Sequence, residues 1–208
     1  MTSLFTGADL ADPVWLTQRI EETGRRWRTT DRRTAATIWW YSASSVLLAP
    51  LFDDTTIVGA VPDPSLAATS GALQADGTPA RVTYSRRVAD LDGLGDGLRR
   101  SLTAIVDALG KAGGSAPAMW ALASDSLANR ALDAGSATLA VRLAELVGPP
   151  LPVPRFVEVG SRTFLRRASC CLIYRVVAPE GDEAAERAKC VSCPHQLPEV
   201  REARLAAL

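Results

Sequence analysis

All four cysteines of this 208-residue chain fall between residues 170 and 193, as the adjacent pair Cys170-Cys171 and the spaced pair Cys190-Val191-Ser192-Cys193. A fold stapled by disulfides would spread its bridges through the chain, so this clustering points to one local metal or redox site. A C-x-x-C pair lets two thiolates reach one tetrahedral metal from a tight turn and leaves backbone amides free to donate to sulfur. Adjacent cysteines in a strand would face opposite sides of it. For both to reach a common site, the chain at 170–171 must leave strand geometry in a turn or bulge. Four thiolates so placed suit a structural zinc ion or a [2Fe–2S] cluster, and spacing alone also leaves thiol redox chemistry or a local disulfide open. A thioredoxin-like site is poorly supported, because no βαβ unit places the C-x-x-C at a helix start after a strand. His195, the only histidine, lies just past the second pair and offers a Cys₃His alternative should Cys170 face away.

The rest of the chain reads as helical. Asp12-Pro13 opens one helix, with Leu16, Ile20 and Trp27 near helical spacing, and Asp31 caps a second that runs through Trp39, Trp40, Val46 and Leu47 to Pro50. The charge-free run from Thr34 to Phe52 holds three serines and clustered apolar residues, which predicts a buried helix and no membrane span. Leu94, Leu98, Leu102, Ile105, Val106 and Leu109 mark one face of a long helix; further helices open at Ser115-Ala116-Pro117 and at Ser136. Thr55–Val61 and Ala80–Ser85 suggest a two-stranded element, with loop or irregular helix between Pro62 and Pro79. The proline-rich Pro149–Pro154 cannot continue a helix and divides a mainly helical body, residues 1–148, from a cysteine-bearing segment, residues 155–208, that packs on it or is integrated with it. In that segment Arg155–Val159 and Leu172–Val177 read as strands and Glu183–Lys189 as a short helix. The expected class is a mainly helical α+β protein with few short strands.

Several functions are excluded on chemical grounds. Twenty-three basic residues balance twenty-three acidic ones, so no overall field favours nucleic acid. The glycines of Asp92–Gly97 match neither a dinucleotide fingerprint nor a P-loop, so electrons from NAD(P)H would need a separate protein. Ser124 and Ser126 have no histidine near them in sequence, which argues against a Ser-His-Asp hydrolase. The five tryptophans, at 15, 27, 39, 40 and 120, sit beside aliphatic residues and read as core. The first residues lack a signal-peptide pattern, and the expected compartment is the cytoplasm.

The run Arg166-Arg167-Ala168-Ser169-Cys170-Cys171-Leu172-Ile173-Tyr174-Arg175, followed by Cys190-x-x-Cys193-Pro194, resembles the C-terminal signature of the FhuF-like ferric-siderophore reductases. The likeness continues upstream in the Trp-rich helix ending at Pro50 and in Ala118–Ser124. It implies that Cys170, Cys171, Cys190 and Cys193 ligate a [2Fe–2S] cluster and that the protein reduces a ferric siderophore by one-electron transfer. The electrons would come from an external donor, a ferredoxin or an NAD(P)H-dependent reductase. A non-catalytic interaction or scaffold protein stapled by Cys₄–zinc is the alternative.

Eighteen residues separate Cys171 from Cys190. The family has about ten, and the extra loop closure costs only about 0.5 kcal/mol. The excess, Ala178 to Ala188, is acidic and reads as a solvated excursion, a docking edge for a basic donor, or a lid. Arg166, Arg167 and Arg175 flank the motif, where they draw in an anionic chelate or acidic ferredoxin, balance the charge of the cluster, or are simply solvated.

Overall fold

Asp12 accepts a hydrogen bond from the Val14 N–H at 2.9 Å, and Pro13 fills the first turn of helix α2 (Pro13–Arg26), whose buried stripe includes Leu16 and Ile20. Strand β1 (Leu4–Thr6) and a single turn, α1 (Gly7–Leu10), precede it. Asp31 repeats the device for α3 (Arg32–Leu48), accepting from the Arg33 N–H at 3.0 Å. These coordinates are a computed structural model describing residues 3–52, 61–178 and 182–208.

Helix α3 is the centre of the body and packs against α2, against strand β4 (Pro79–Tyr84) and against α5 (Ala116–Asp133). With the 3₁₀ turn that follows it, Arg32–Phe52 is long and apolar enough to cross a membrane, and 67% of its most apolar 18-residue stretch is buried inside the protein. Trp39 and Trp40 are fully buried; the Trp40 indole N–H donates to the Met119 carbonyl at 2.8 Å, tying α3 to α5. Between the two helices the Ser44 and Ser126 hydroxyls meet at 2.7 Å, a satisfied polar pair inside an apolar interface. Trp120 is also buried and Trp15 packs on the core, whereas Trp27 ends α2 and is half-exposed.

Helix α4 (Leu91–Lys111) buries all six residues of its predicted face, and Asp90 caps it through the Gly93 N–H at 2.8 Å. The glycines near its start lie inside the helix. A Cβ on Gly95 would come within 2.6 Å of Leu146 in α6 (Ala137–Val147), so glycine is what lets these helices approach. Ser136 precedes α6 without a side-chain cap, its hydroxyl donating to the Ala134 carbonyl instead.

The strands depart from the expected pairing. Thr55–Val61 lies outside the described residues except for Val61, which with Pro62 forms β2 and pairs with β5 (Arg87–Val88). The region expected to be loop contains β3 (Thr69–Leu73), the middle strand of an antiparallel sheet ordered β1-β3-β4. Its sequence, Thr-Ser-Gly-Ala-Leu, has little strand character, and tertiary contact decides it. A Cβ at Gly71 would lie 2.4 Å from the Phe5 ring and from the Arg81 carbonyl, so the strand fits there only as glycine.

Within the proline-rich segment, Leu151 reaches the core and Pro152 accepts from the Ser124 hydroxyl through its carbonyl at 2.7 Å. The hairpin β6 (Arg155–Val159) and β7 (Arg162–Arg166) packs through β7 on α5. Leu172–Val177 is a turn followed by helix α7 (Tyr174–Val177), not a strand, because Leu172 takes φ +60°, which ends extended backbone. Helices α8 (Asp182–Ala188) and α9 (Pro198–Ala206) complete the described chain. The protein is mainly helical α+β, 57% helix with short antiparallel strands.

Candidate metal centre

Helix α5 presents one carboxylate among small and apolar neighbours, and it organises the loop that carries the first cysteines. Asp125, 3% exposed, accepts hydrogen bonds from the Ala168 N–H (2.8 Å), the Ser169 N–H (3.0 Å) and the Ser169 hydroxyl (2.6 Å). These bonds end the β7 ladder and turn the chain toward Cys170-Cys171. The left-handed Leu172 that follows costs on the order of 1–3 kcal/mol and lets its N–H reach the Cys170 sulfur at 3.4 Å.

The second pair is held from the other side. The Cys193 N–H donates to the Cys190 carbonyl at 3.0 Å, closing the C-x-x-C turn. Buried Gln196 donates to the same carbonyl at 2.6 Å, and Arg204 of α9 bonds both the Gln196 side chain and the Lys189 carbonyl at 2.9 Å.

These two supports bring the four thiols together. The Cys170 and Cys193 sulfurs are 3.8 Å apart, and all four cysteines are free. That distance is far from a bonded pair at about 2.05 Å. It equals the spacing of about 3.8 Å expected for two thiolates each about 2.3 Å from one tetrahedral metal. Cys171 lies against both Cys170 and Cys190. Among the described residues no three His, Cys, Asp or Glu side chains surround a single metal position; the sulfurs follow one another in pairwise contacts. The Cys171 contact, aided by the Leu172 N–H, outweighs burial and lowers the Cys170 pKa. Cys190 is pushed up by Cys171 and by burial, against the pull of Arg167.

Arg167 closes the site from the inside. Its Nε lies 3.3 Å from Asp125, its Nη1 3.7 Å from the Cys190 sulfur, and its guanidinium 5.3 Å from the centre of the Tyr41 ring. Burial works against its charge, but Asp125 and the thiols Cys171 and Cys190 outweigh burial and raise its pKa. Its Nη2 is buried with no hydrogen-bond partner. A buried donor left so costs about 1–3 kcal/mol, and more when charged. Thiols meeting in pairs, with an unspent cationic donor beside Cys190, are chemically compatible with a [2Fe–2S] group, in which each iron takes two thiolates and the sulfurs are acceptors.

The other flanking residues divide. Arg167 is too deeply buried to attract a ligand from solvent or to be a solvated surface charge, so of its expected roles only internal charge balance is open to it. Arg166 is exposed and lines a separate groove with Pro198 and Arg201. Arg175 is exposed and lines a cleft of about 630 Å³ together with Asp31, Arg33, Cys170 and His195. The His195 Nδ1 is 3.1 Å from the Tyr174 hydroxyl. In the acidic excursion Glu183 pairs with Arg187 and Glu186 with Lys189; Glu180 lies outside the described residues.

Asp125 and Arg33 are the residues that sequence reasoning missed. A lone carboxylate between Ser124 and Ser126, midway along an Ala- and Leu-rich helix, was the available signal for the first. No family model, curated protein or solved structure matches the chain.

Proposed function

We propose that this chain is a cytoplasmic iron–sulfur protein that reduces ferric siderophores, as its resemblance to the FhuF-like reductases implies. The observation that supports it most is a run of four free thiols in pairwise contact, one end of which, Cys190, lies against a buried arginine with a donor to spare. A [2Fe–2S] cluster on Cys170, Cys171, Cys190 and Cys193 supplies single electrons, replenished by a separate ferredoxin or reductase. The chain's own task is to hold the thiolates, bury Cys171 and Cys193, and leave exposed Cys190 and half-buried Cys170 within reach of a donor and an acceptor. In the reaction one electron reaches the chelated Fe³⁺, which becomes Fe²⁺. The hard oxygen donors then hold the metal less tightly, and it leaves as they take up protons from solvent. Free thiols suit the reducing cytoplasm.

The Cys170–Cys193 spacing would serve zinc equally well, which keeps the stapled scaffold as the second reading. Anaerobic purification with iron, acid-labile sulfide and zinc analysis separates the two. Two irons and two sulfides per chain, with a visible spectrum lost on Cys170→Ala and Cys171→Ala but kept in His195→Ala, support the reductase. A colourless protein with one zinc overturns it.

A further inference from the structure

The cleft beside Cys170 is formed by the first turns of α3 and α5, the Cys170 loop and α7. Its volume of about 630 Å³ lies in the range of about 300–1,000 Å³ usual for small-molecule sites. Cys170 is the one cysteine on its wall, so a molecule seated there touches the metal centre without an intervening side chain. Its charge is unbalanced. Among the described residues Arg33 and Arg175 form no ion pair, and Arg175 bonds only the Tyr174 hydroxyl, through its Nε at 3.3 Å. Asp31 is the opposing carboxylate: it accepts from the Arg33 N–H and the Thr34 hydroxyl and attracts Arg175 through space, which sets one carboxylate against two arginines. His195 completes the polar rim. The first turn of α5 receives no side-chain cap from Ser115, so the helix end adds positive potential at the same wall. Small residues, Ala118 and Ala121, floor the α5 side and leave room for a bulky ligand.

From this arrangement we infer that the cleft binds the acceptor and selects anionic, oxygen-donor chelates of ferric iron over neutral ones, with Arg33 and Arg175 as the recognising charges. This rests on the reductase reading above. The two arginines also offset the repulsion between an anionic chelate and a centre built from thiolates, which would otherwise oppose close approach. Approach is fastest at low ionic strength and slows as salt screens the exposed charges.

The test separates binding from electron transfer by using redox-inert gallium(III). Protein whose iron and sulfide content has been measured is titrated by calorimetry with tris(catecholato)gallium(III), a trianion, and with neutral tris(acetohydroxamato)gallium(III). The anion binds and the neutral complex binds much more weakly. Arg33→Ala/Arg175→Ala weakens the anion by about tenfold or more and leaves the neutral complex unchanged. Asp31→Asn, which keeps a capping side chain, tightens the anion. Loaded protein that binds both complexes alike, or binds the anion undiminished in the double variant, overturns the cleft assignment and leaves the reductase reading standing. Protein that holds no iron and sulfide overturns that reading and the assignment together.

Discussion

The Asp125 carboxylate on α5 accepts both the backbone N–H and the hydroxyl of Ser169, the residue immediately before the cysteine pair. Through these bonds the helical body dictates where Cys170 and Cys171 stand. Asp125→Ala strands the Arg167 charge and two loop amides, and breaking a buried pair from one side costs about 3–5 kcal/mol. Urea unfolding should register that loss, and iron retained after desalting should fall with it. Asp125→Asn, keeping one acceptor oxygen, should lose less of both.

Arg167 should govern the reduction potential of the proposed cluster as well as the fold, since its loss leaves Asp125 buried without its cation. The added electron increases the negative charge beside its guanidinium, so Arg167→Met disfavours the reduced form. A tenfold change in that equilibrium corresponds to about 59 mV for one electron. Spectroelectrochemical titration should show a shift of about this size to more negative potential, with a smaller shift in Arg167→Lys. An unchanged midpoint in the methionine variant would mean that the side chain only packs.

Asp31 provides a pH test on the rim of the cleft. The Thr34 hydroxyl, joined by the Arg33 and Thr34 N–H groups and more weakly by the Arg175 charge, holds its carboxyl below the ordinary range despite slight burial. Its folded pKa is therefore the lower one. The cap contributes fully above the unfolded value of about 3.9 and is lost as pH falls through the folded value. Asp31→Ala should cost about 1 kcal/mol at pH 7, and the gap to the parent protein should close in urea melts below pH 3.9.

Gly95→Ala tests the body apart from the site. The new methyl meets Leu146, and overpacking of this kind costs about 1–3 kcal/mol. Thermal melting should fall accordingly while iron and sulfide per folded chain stay constant.

Local signals carried the sequence reading where they sufficed and failed where distant contacts decided. Asp12, Asp31 and the leucines of α4 define their helices within a few residues, so starts and buried faces were legible. The β1-β3-β4 sheet was not: Gly71 is a strand residue only because Phe5, sixty-six positions earlier, covers it. The cysteine spacing required a turn at 170–171, and Leu172 supplies it. That spacing could not reveal Asp125, because a carboxylate shows its purpose only once the loop it binds has come into place. For Arg167 the motif offered both an outward and an inward role, and only its buried partner Asp125 decides for the inward one.

The two halves of the thiol set hang from different supports, one from Asp125 in the helical bundle and the other from Gln196 and Arg204 near the end of the chain. Any ion or cluster gripping both would act as a suture across the protein. Stripping it should leave the bundle resistant to trypsin while the last thirty or so residues become cleavable, so that iron status would set the lifetime of the chain as well as its chemistry.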